Sequence, residues 1–272
     1  MKQSLVRKGL FTLAACSIAL LATAACGTED TPSVPTVSVN SVVPQAPAEN
    51  PNTSAPAVKT AANAEEALNL LKSGNNQFTQ GSVNLNVTEA LRQDLAKNGQ
   101  KPHTVVITCS DSRVPPELIF NSGLGEVFVI RTAGNVVGDY EIGSVEYAVD
   151  HLNSPLVLVM GHTQCGAVDA AIEGHASGHV EDILEEIAPS VTKAKQQASE
   201  SDKIADLAQD LNVENSMDRL MSSDIISRLV RDGKVTIQGC KYDIENGTVR
   251  YFDAPQSDGE QKTSSAASSS QP

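Results

Sequence analysis

Apolar positions follow two periods in the middle of the chain and neither period near its ends. "NAEEALNLLKSGNNQF" puts Ala67, Leu70 and Leu71 on one helical face. Asn63 and Glu66 stand at capping-box spacing ahead of it, and Gly74 is the expected stop. "TEALRQDLAKNGQ" predicts a second short helix from Thr88 to Asn98, with Leu91 and Leu95 facing inward. The pattern then changes. "TVVITC" (104–109), "EVFVIR" (126–131) and "PLVLVMGH" (155–162) are continuous apolar runs rich in β-branched residues, as in strands covered on both faces. Between the last two, "YEIGSVEYAVDHL" returns to helical spacing through Ile142, Val145, Tyr147, Ala148, Val149 and Leu152. "CGAVDAAIEG" opens another helix, and a long polar helical stretch follows from Val180 to Asp210. "NVENSMDRLMSSDIISRLVRDG" reads as one further helix, stopped by Asp232-Gly233. In "KVTIQGCKYDIENGTVRYF", Asn246-Gly247 is a hairpin signal. Residues 234–244 and 248–252 are therefore expected as neighbouring strands, the last antiparallel.

Apolar strands alternating with helices predict an α/β fold, a mostly parallel sheet flanked by helices. Residues 61–253 are the expected domain, of a length usual for one such unit. No internal repeat is visible.

The unpatterned ends read differently. "MKQSLVRKGLFTLAACSIALLATAAC" has basic residues, an apolar stretch from Gly9 to Ala25, and small residues ahead of a cysteine. That is the layout of an export signal over residues 1–25, too short and too interrupted for a membrane span. It resembles the bacterial lipoprotein box, which makes Cys26 the expected lipidation site, with Cys16 as the competing position. Residues 26–60 are rich in Pro, Ser, Thr, Asn and Val and predict a disordered tether. Residues 254–272 predict a disordered tail. The expectation is an exported protein of the periplasm or cell envelope, held on a membrane by an N-terminal lipid.

Composition narrows the function. The formal net charge is −13, aromatic residues make up 3% and tryptophan is absent. Without a basic patch or stacking residues, nucleic acid is not an expected partner. Beyond Cys16 and Cys26 three cysteines remain, Cys109, Cys165 and Cys240. An odd number suits two metal-bound thiolates and one buried thiol better than disulfides.

In parallel sheets, ligands bind beyond the carboxyl ends of the strands. Cys109 and His162 each close a predicted strand, and Cys165 follows His162 by three residues at the start of a helix. Two thiolates and an imidazole are a donor set suited to zinc, and three protein ligands leave a fourth position open, as at catalytic sites. Asp111 stands close to Cys109, and Arg113 is spaced to clamp it through a bidentate pair. Such a clamp would keep Asp111 ionised and off the metal. His175 and His179 are expected in a solvated loop, because Gly174 and Gly178 break any helix there. His103 is expected at the surface, and Cys240 as a free core thiol.

"CSDSRV" (109–114) followed by "GHTQCGAV" (161–168) resembles the β-class carbonic anhydrases. The blocks "LKSGNNQF", "RTAGNVVG", "SVEYAVDHL" and "VTIQGCKYDIENGTVRYF" extend the resemblance over most of the patterned region. The resemblance implies a sheet of four parallel strands and one antiparallel strand. It implies one Zn2+ per chain held by Cys109, His162 and Cys165, with Asp111 and Arg113 as the catalytic dyad. The activity implied is reversible hydration of CO2 to bicarbonate and a proton by hydroxide on the zinc. By position, Gln100 matches a substrate-binding glutamine of the plant-type branch. Phe128 and Tyr147 match its apolar CO2 pocket, partly supplied across a dimer interface, and His151 matches a proposed proton-transfer residue. A homodimer or homotetramer is implied as well. One branch has a regulatory bicarbonate site built with a tryptophan, and this chain has none. Three alternatives stay open: a carbonyl sulfide or carbon disulfide hydrolase on the same scaffold, an inactive zinc-folded envelope protein, and a thiol-redox protein using Cys109 and Cys165.

Overall fold

The apolar runs become the sheet. In the computed structural model, which describes residues 57–253, β1 (Thr104–Cys109) is buried along its whole length and lies in the interior of a five-stranded sheet. It pairs in parallel with β2 (Val127–Thr132) on one side and β3 (Leu156–His162) on the other. β3 pairs in parallel with β4 (Thr236–Tyr242), and β4 pairs antiparallel with β5 (Val249–Tyr251). The order is β2-β1-β3-β4-β5, four parallel strands and one antiparallel, as expected. The hairpin to β5 turns at Gly247, whose φ of 78° is the left-handed conformation that an Asn-Gly turn supplies.

Helices cover both faces. α1 (Ala64–Thr79) and α2 (Glu89–Asn98) precede the sheet, and the short α3 (Pro116–Ile119) follows β1. α4 (Asp139–Glu146) lies between β2 and β3 and widens into a π turn over Tyr147–His151. α5 (Gly166–Glu173), α6 (Val180–Gln197), α7 (Ile204–Met221) and α8 (Asp224–Arg231) lie between β3 and β4. On one face Val106, Leu158 and Met160 pack with Leu71, Ile187 and Leu211. On the other, Val105, Ile107 and Val159 pack with Val145, Leu220 and Ile226.

The start of α1 is capped as its sequence predicts. Asn63 Oδ1 accepts the Glu66 amide at 2.9 Å, and the Glu66 carboxylate accepts the Ala62 amide at 2.8 Å. Its end is a correction, because the helix passes through Gly74 and stops at Gln80. Gly74 is buried where α1 crosses the chain beyond α3, and a Cβ there would sit 1.8 Å from the Phe120 carbonyl oxygen. The glycine allows close contact between two backbones; it does not break the helix. Gly74→Ala should therefore lower stability by about 3 kcal/mol, the upper end for forced overpacking. A urea midpoint equal to that of the parent would contradict this contact.

The region after α5 is a second correction. The predicted boundary near Asp210 lies inside α7, and the breaks fall at residues 198–203 and 222–223. Ser223 caps α8 by accepting the Ile226 amide at 3.2 Å. His103 is a third. Its amide donates to the Glu126 carbonyl at 2.9 Å, which extends the pairing of β1 with β2 backwards and turns the ring into the protein beside Thr104 Oγ1. Burial lowers its pKa to about 4. The tether expected to reach residue 60 is held from Lys59 on, whose amide donates to Glu126 Oε1 and whose ammonium donates to the Asn121 carbonyl. Residues 1–25, Cys16, Cys26, the tether up to residue 56 and the tail 254–272 lie outside the described residues. Among the described residues no helix is long and apolar enough to cross a membrane.

Candidate metal centre

Cys109 ends β1 and His162 ends β3, and both strands run the same way, so the two side chains emerge at one end of the sheet. After His162 the chain reverses through Gln164, at φ 56°, and delivers Cys165 as the residue that opens α5. The ligand atoms of Cys109, His162 and Cys165 lie within 4.8 Å of one another, and all three residues are buried. It is the one cluster of this kind among the described residues.

The histidine is oriented for a metal. Its Nδ1 lies 2.8 Å from the Thr163 carbonyl oxygen. A carbonyl only accepts, so Nδ1 carries the proton and Nε2 keeps its lone pair. Nε2 is buried and finds no hydrogen-bond partner. Thr163 is itself fixed to the end of β4, its amide donating to the Tyr242 carbonyl and its hydroxyl accepting from the Ile244 amide. An orphaned imidazole nitrogen facing two sulfurs, with its other nitrogen on a carbonyl, fits zinc in ligand type and in outer support.

The sulfurs are unequal. Cys109 Sγ accepts the Gly134 amide at 3.2 Å and the Asp111 amide at 3.4 Å. Hydrogen bonds from Cys165 and from these amides lower its pKa. Cys165 gives its hydrogen to Cys109 and is buried, and both effects push its pKa up. Of the two sulfurs, Cys109 is the one that receives backbone amides from outside its own helix or strand.

Asp111 and Arg113 form the predicted clamp. Asp111 Oδ1 accepts from the Arg113 amide and from Nε, each at 2.9 Å, and Oδ2 accepts from Nη2 at 2.7 Å. Hydrogen bonding by Arg113 lowers the Asp111 pKa to about 2. Nη2 also donates to the Gln164 carbonyl at 3.1 Å, which ties the clamp to the turn between His162 and Cys165. Arg131 is a supporting residue that sequence reasoning missed. Its Nε donates to the Cys109 carbonyl at 3.0 Å and its Nη2 to the Asp111 carbonyl at 2.6 Å. As a charged residue closing an edge strand, it carried no signal beyond solvation.

The other predicted residues are not brought to this centre within one chain. Gln100 is exposed and precedes β1, whose six residues span about 17 Å at the usual rise per residue and end at Cys109. Phe128 packs on the opposite face of the sheet, in register with Val105. Its ring centroid lies 6.3 Å from that of Tyr147, which lies 5.6 Å from that of His151. These three form a row beside edge strand β2, with Tyr147 49% exposed. His175 and His179 are exposed and Cys240 is a buried free thiol, all as expected.

The sequence pattern of the family described as carbonic anhydrase matches residues 104–249, more than half of the chain. The chain belongs to the carbonic anhydrase family. Its fold is that of the β class, whose members are zinc enzymes. Carbonic anhydrase 2 of Mycobacterium tuberculosis is 47% identical over 102 residues, 38% of this chain and 49% of that protein. The chain thus spans about half the length of that curated relative. A Coccomyxa β-carbonic anhydrase, solved in complex with acetazolamide, is 31% identical with a TM-score of 0.53, covering 59% of this chain and 80% of that one. One of two tetrameric β-carbonic anhydrases from Sordaria macrospora is 26% identical with a TM-score of 0.57, covering 67% and 94%. The carbonic anhydrase match begins with β1 and ends in β5, so it contains Cys109, Asp111, Arg113, His162 and Cys165.

Proposed function

We propose that this chain catalyses the reversible hydration of CO2 to bicarbonate and a proton, with one Zn2+ held by Cys109, His162 and Cys165. The observation that carries the reading is the clamped Asp111 beside an intact group of two cysteines and a histidine. When bound, zinc supplies Lewis acidity that makes water acidic near neutral pH. Asp111 receives the hydrogen bond of the attacking oxygen. A carboxylate offers about four acceptor sites; Arg113 occupies two on Oδ1 and one on Oδ2, so the site that remains is on Oδ2. Because the Arg113 hydrogen bonds hold its carboxyl below the ordinary carboxylate range, Asp111 is an ionised acceptor near neutral pH.

The substrate pocket requires a second copy in this reading. Gln100, Phe128 and Tyr147, in the plant-type arrangement, serve the partner's metal centre, and His151 beside Tyr147 passes the proton outward. The half-buried edge strand β2 and the exposed Tyr147 support a homodimer, and the tetrameric Sordaria neighbours support further assembly. The N-terminal sequence supports export and lipid anchoring at Cys26, and with them an activity in the periplasm or envelope as part of this proposal. Palmitate labelling that persists in Cys26→Ser and disappears in Cys16→Ser would move the anchor to Cys16.

Side-by-side assays of CO2 hydration and of sulfide release from carbonyl sulfide and carbon disulfide test the substrate. CO2 hydration is expected to dominate, and sulfide release without CO2 hydration would overturn the reading. The pH profile is a second check. Two thiolates offset more of the zinc charge than imidazoles do, so water there is less acidic than the value of about 7 found with three histidines. CO2 hydration should rise toward alkaline pH, and a flat rate between roughly pH 6.5 and 9 would contradict this.

A further inference from the structure

α7 carries a line of buried polar side chains on one face. Gln209, Asn212 and Ser216, spaced three and then four residues apart, are 5%, 1% and 2% exposed. Two of them reach the turn that follows β2. Asn212 Nδ2 donates to the Gly134 carbonyl at 2.7 Å. Ser216 Oγ accepts from Asn135 Nδ2 at 3.2 Å, and its one hydrogen has two carbonyls in reach, that of Asn135 at 2.8 Å and that of Asn212 at 3.0 Å. Asn212 Oδ1, also buried, finds no donor. A buried amide that uses only its donor half costs stability relative to an apolar residue of similar size, which points to a role for the donor.

The turn needs such support. Gly134 and Asn135 are both left-handed, at φ 65° and 49°. A Cβ at position 134 would meet Ile187 Cδ1 at 2.7 Å and Ala167 Cβ at 3.1 Å, and the positive φ strains any side chain there. In this conformation the Gly134 amide points at Cys109 Sγ, 3.2 Å away. An amide on a thiolate sulfur withdraws electron density from it, and outer partners of this kind tune what a ligand gives its metal.

We infer that Asn212 and Ser216 are positioning residues for the metal centre: by holding the Gly134–Asn135 turn, they aim the Gly134 amide at the Cys109 sulfur and set how strongly it donates to a bound metal. The inference rests on the reading of Cys109 as a metal ligand. It joins residues about a hundred positions apart in sequence through two hydrogen bonds that meet on Gly134.

The test uses the purified protein with Co2+ in place of zinc and reads the thiolate-to-cobalt charge-transfer band. In Asn212→Ala the turn loses its hold, the sulfur loses the shorter of its two amide hydrogen bonds, and the sulfur electrons rise in energy. The band should move to longer wavelength than in the parent protein, with cobalt still bound at one per chain. Ser216→Ala, which removes one hydroxyl and leaves the helix intact, should shift the band in the same direction by a smaller amount. A merely structural role would lower the melting temperature and leave the band in place, and that result overturns the inference. If Asn212→Ala does not fold, Ser216→Ala decides alone, and an unshifted band there overturns it equally. A parent protein with no thiolate charge-transfer band would sink the metal reading along with the inference. A parent with the band and variants without the shift would sink the inference alone.

Discussion

Arg113→Ala should lose CO2 hydration by about 100-fold or more while retaining zinc, in the range for removing a group that governs proton handling. Arg113 contributes no atom to the metal group, and every hydrogen bond that its side chain makes goes to Asp111 or to the Gln164 carbonyl. Without the guanidinium, both carboxylate oxygens are free of their side-chain donors. Asp111 lies two residues from Cys109, close enough to turn toward the position that water must occupy. Its pKa should also rise from about 2 toward the ordinary range, because the Arg113 hydrogen bond is the main cause of the depression. Arg113→Lys should not restore the rate, since a single ammonium cannot reproduce the Nε and Nη2 fork. Metal analysis and stopped-flow CO2 hydration on the same preparation check both halves. Zinc lost together with activity would show that Arg113 is structural, and full activity would show that the clamp is dispensable.

Removing a ligand should have the larger effect. In His162→Ala only two donors remain, Cys109 and Cys165, one short of the three protein ligands that a catalytic zinc site uses. Zinc content should fall from one per chain toward zero, and CO2 hydration should fall to the uncatalysed background. The fold should survive, because β3 is held on both sides by β1 and β4 and His162 only ends it. Circular dichroism should therefore match that of the parent protein. A variant that kept both zinc and rate would remove His162 from the ligand set, and with it the account of the unpartnered Nε2.

The metal group was legible in the sequence because its parts sit on strong local signals. Cys109 and His162 close apolar runs whose strand character is unmistakable, and Cys165 and Asp111 follow within three residues. Arg113 could be paired with Asp111 for the same reason, since a clamp between near neighbours depends on little else in the fold. Arg131 and Asn212 had no such context. A polar residue destined for burial looks like a solvated one until its tertiary partner is known, and α7 was divided in the wrong place because its buried polar face mimics an exposed surface. Gly74 failed differently: its local signal, a helix stop, was overridden by backbone contact with Phe120. Gln100, Phe128, Tyr147 and His151 rest on the family resemblance, and no single chain brings them to the metal.

Stopped-flow CO2 hydration by the purified protein, before chelation, after removal of zinc and after its return, tests the central claim most directly. The account predicts rapid proton release with about one zinc per chain, loss of the rate on chelation, and recovery on adding Zn2+. A protein that binds one zinc per chain and hydrates CO2 no faster than buffer would contradict it.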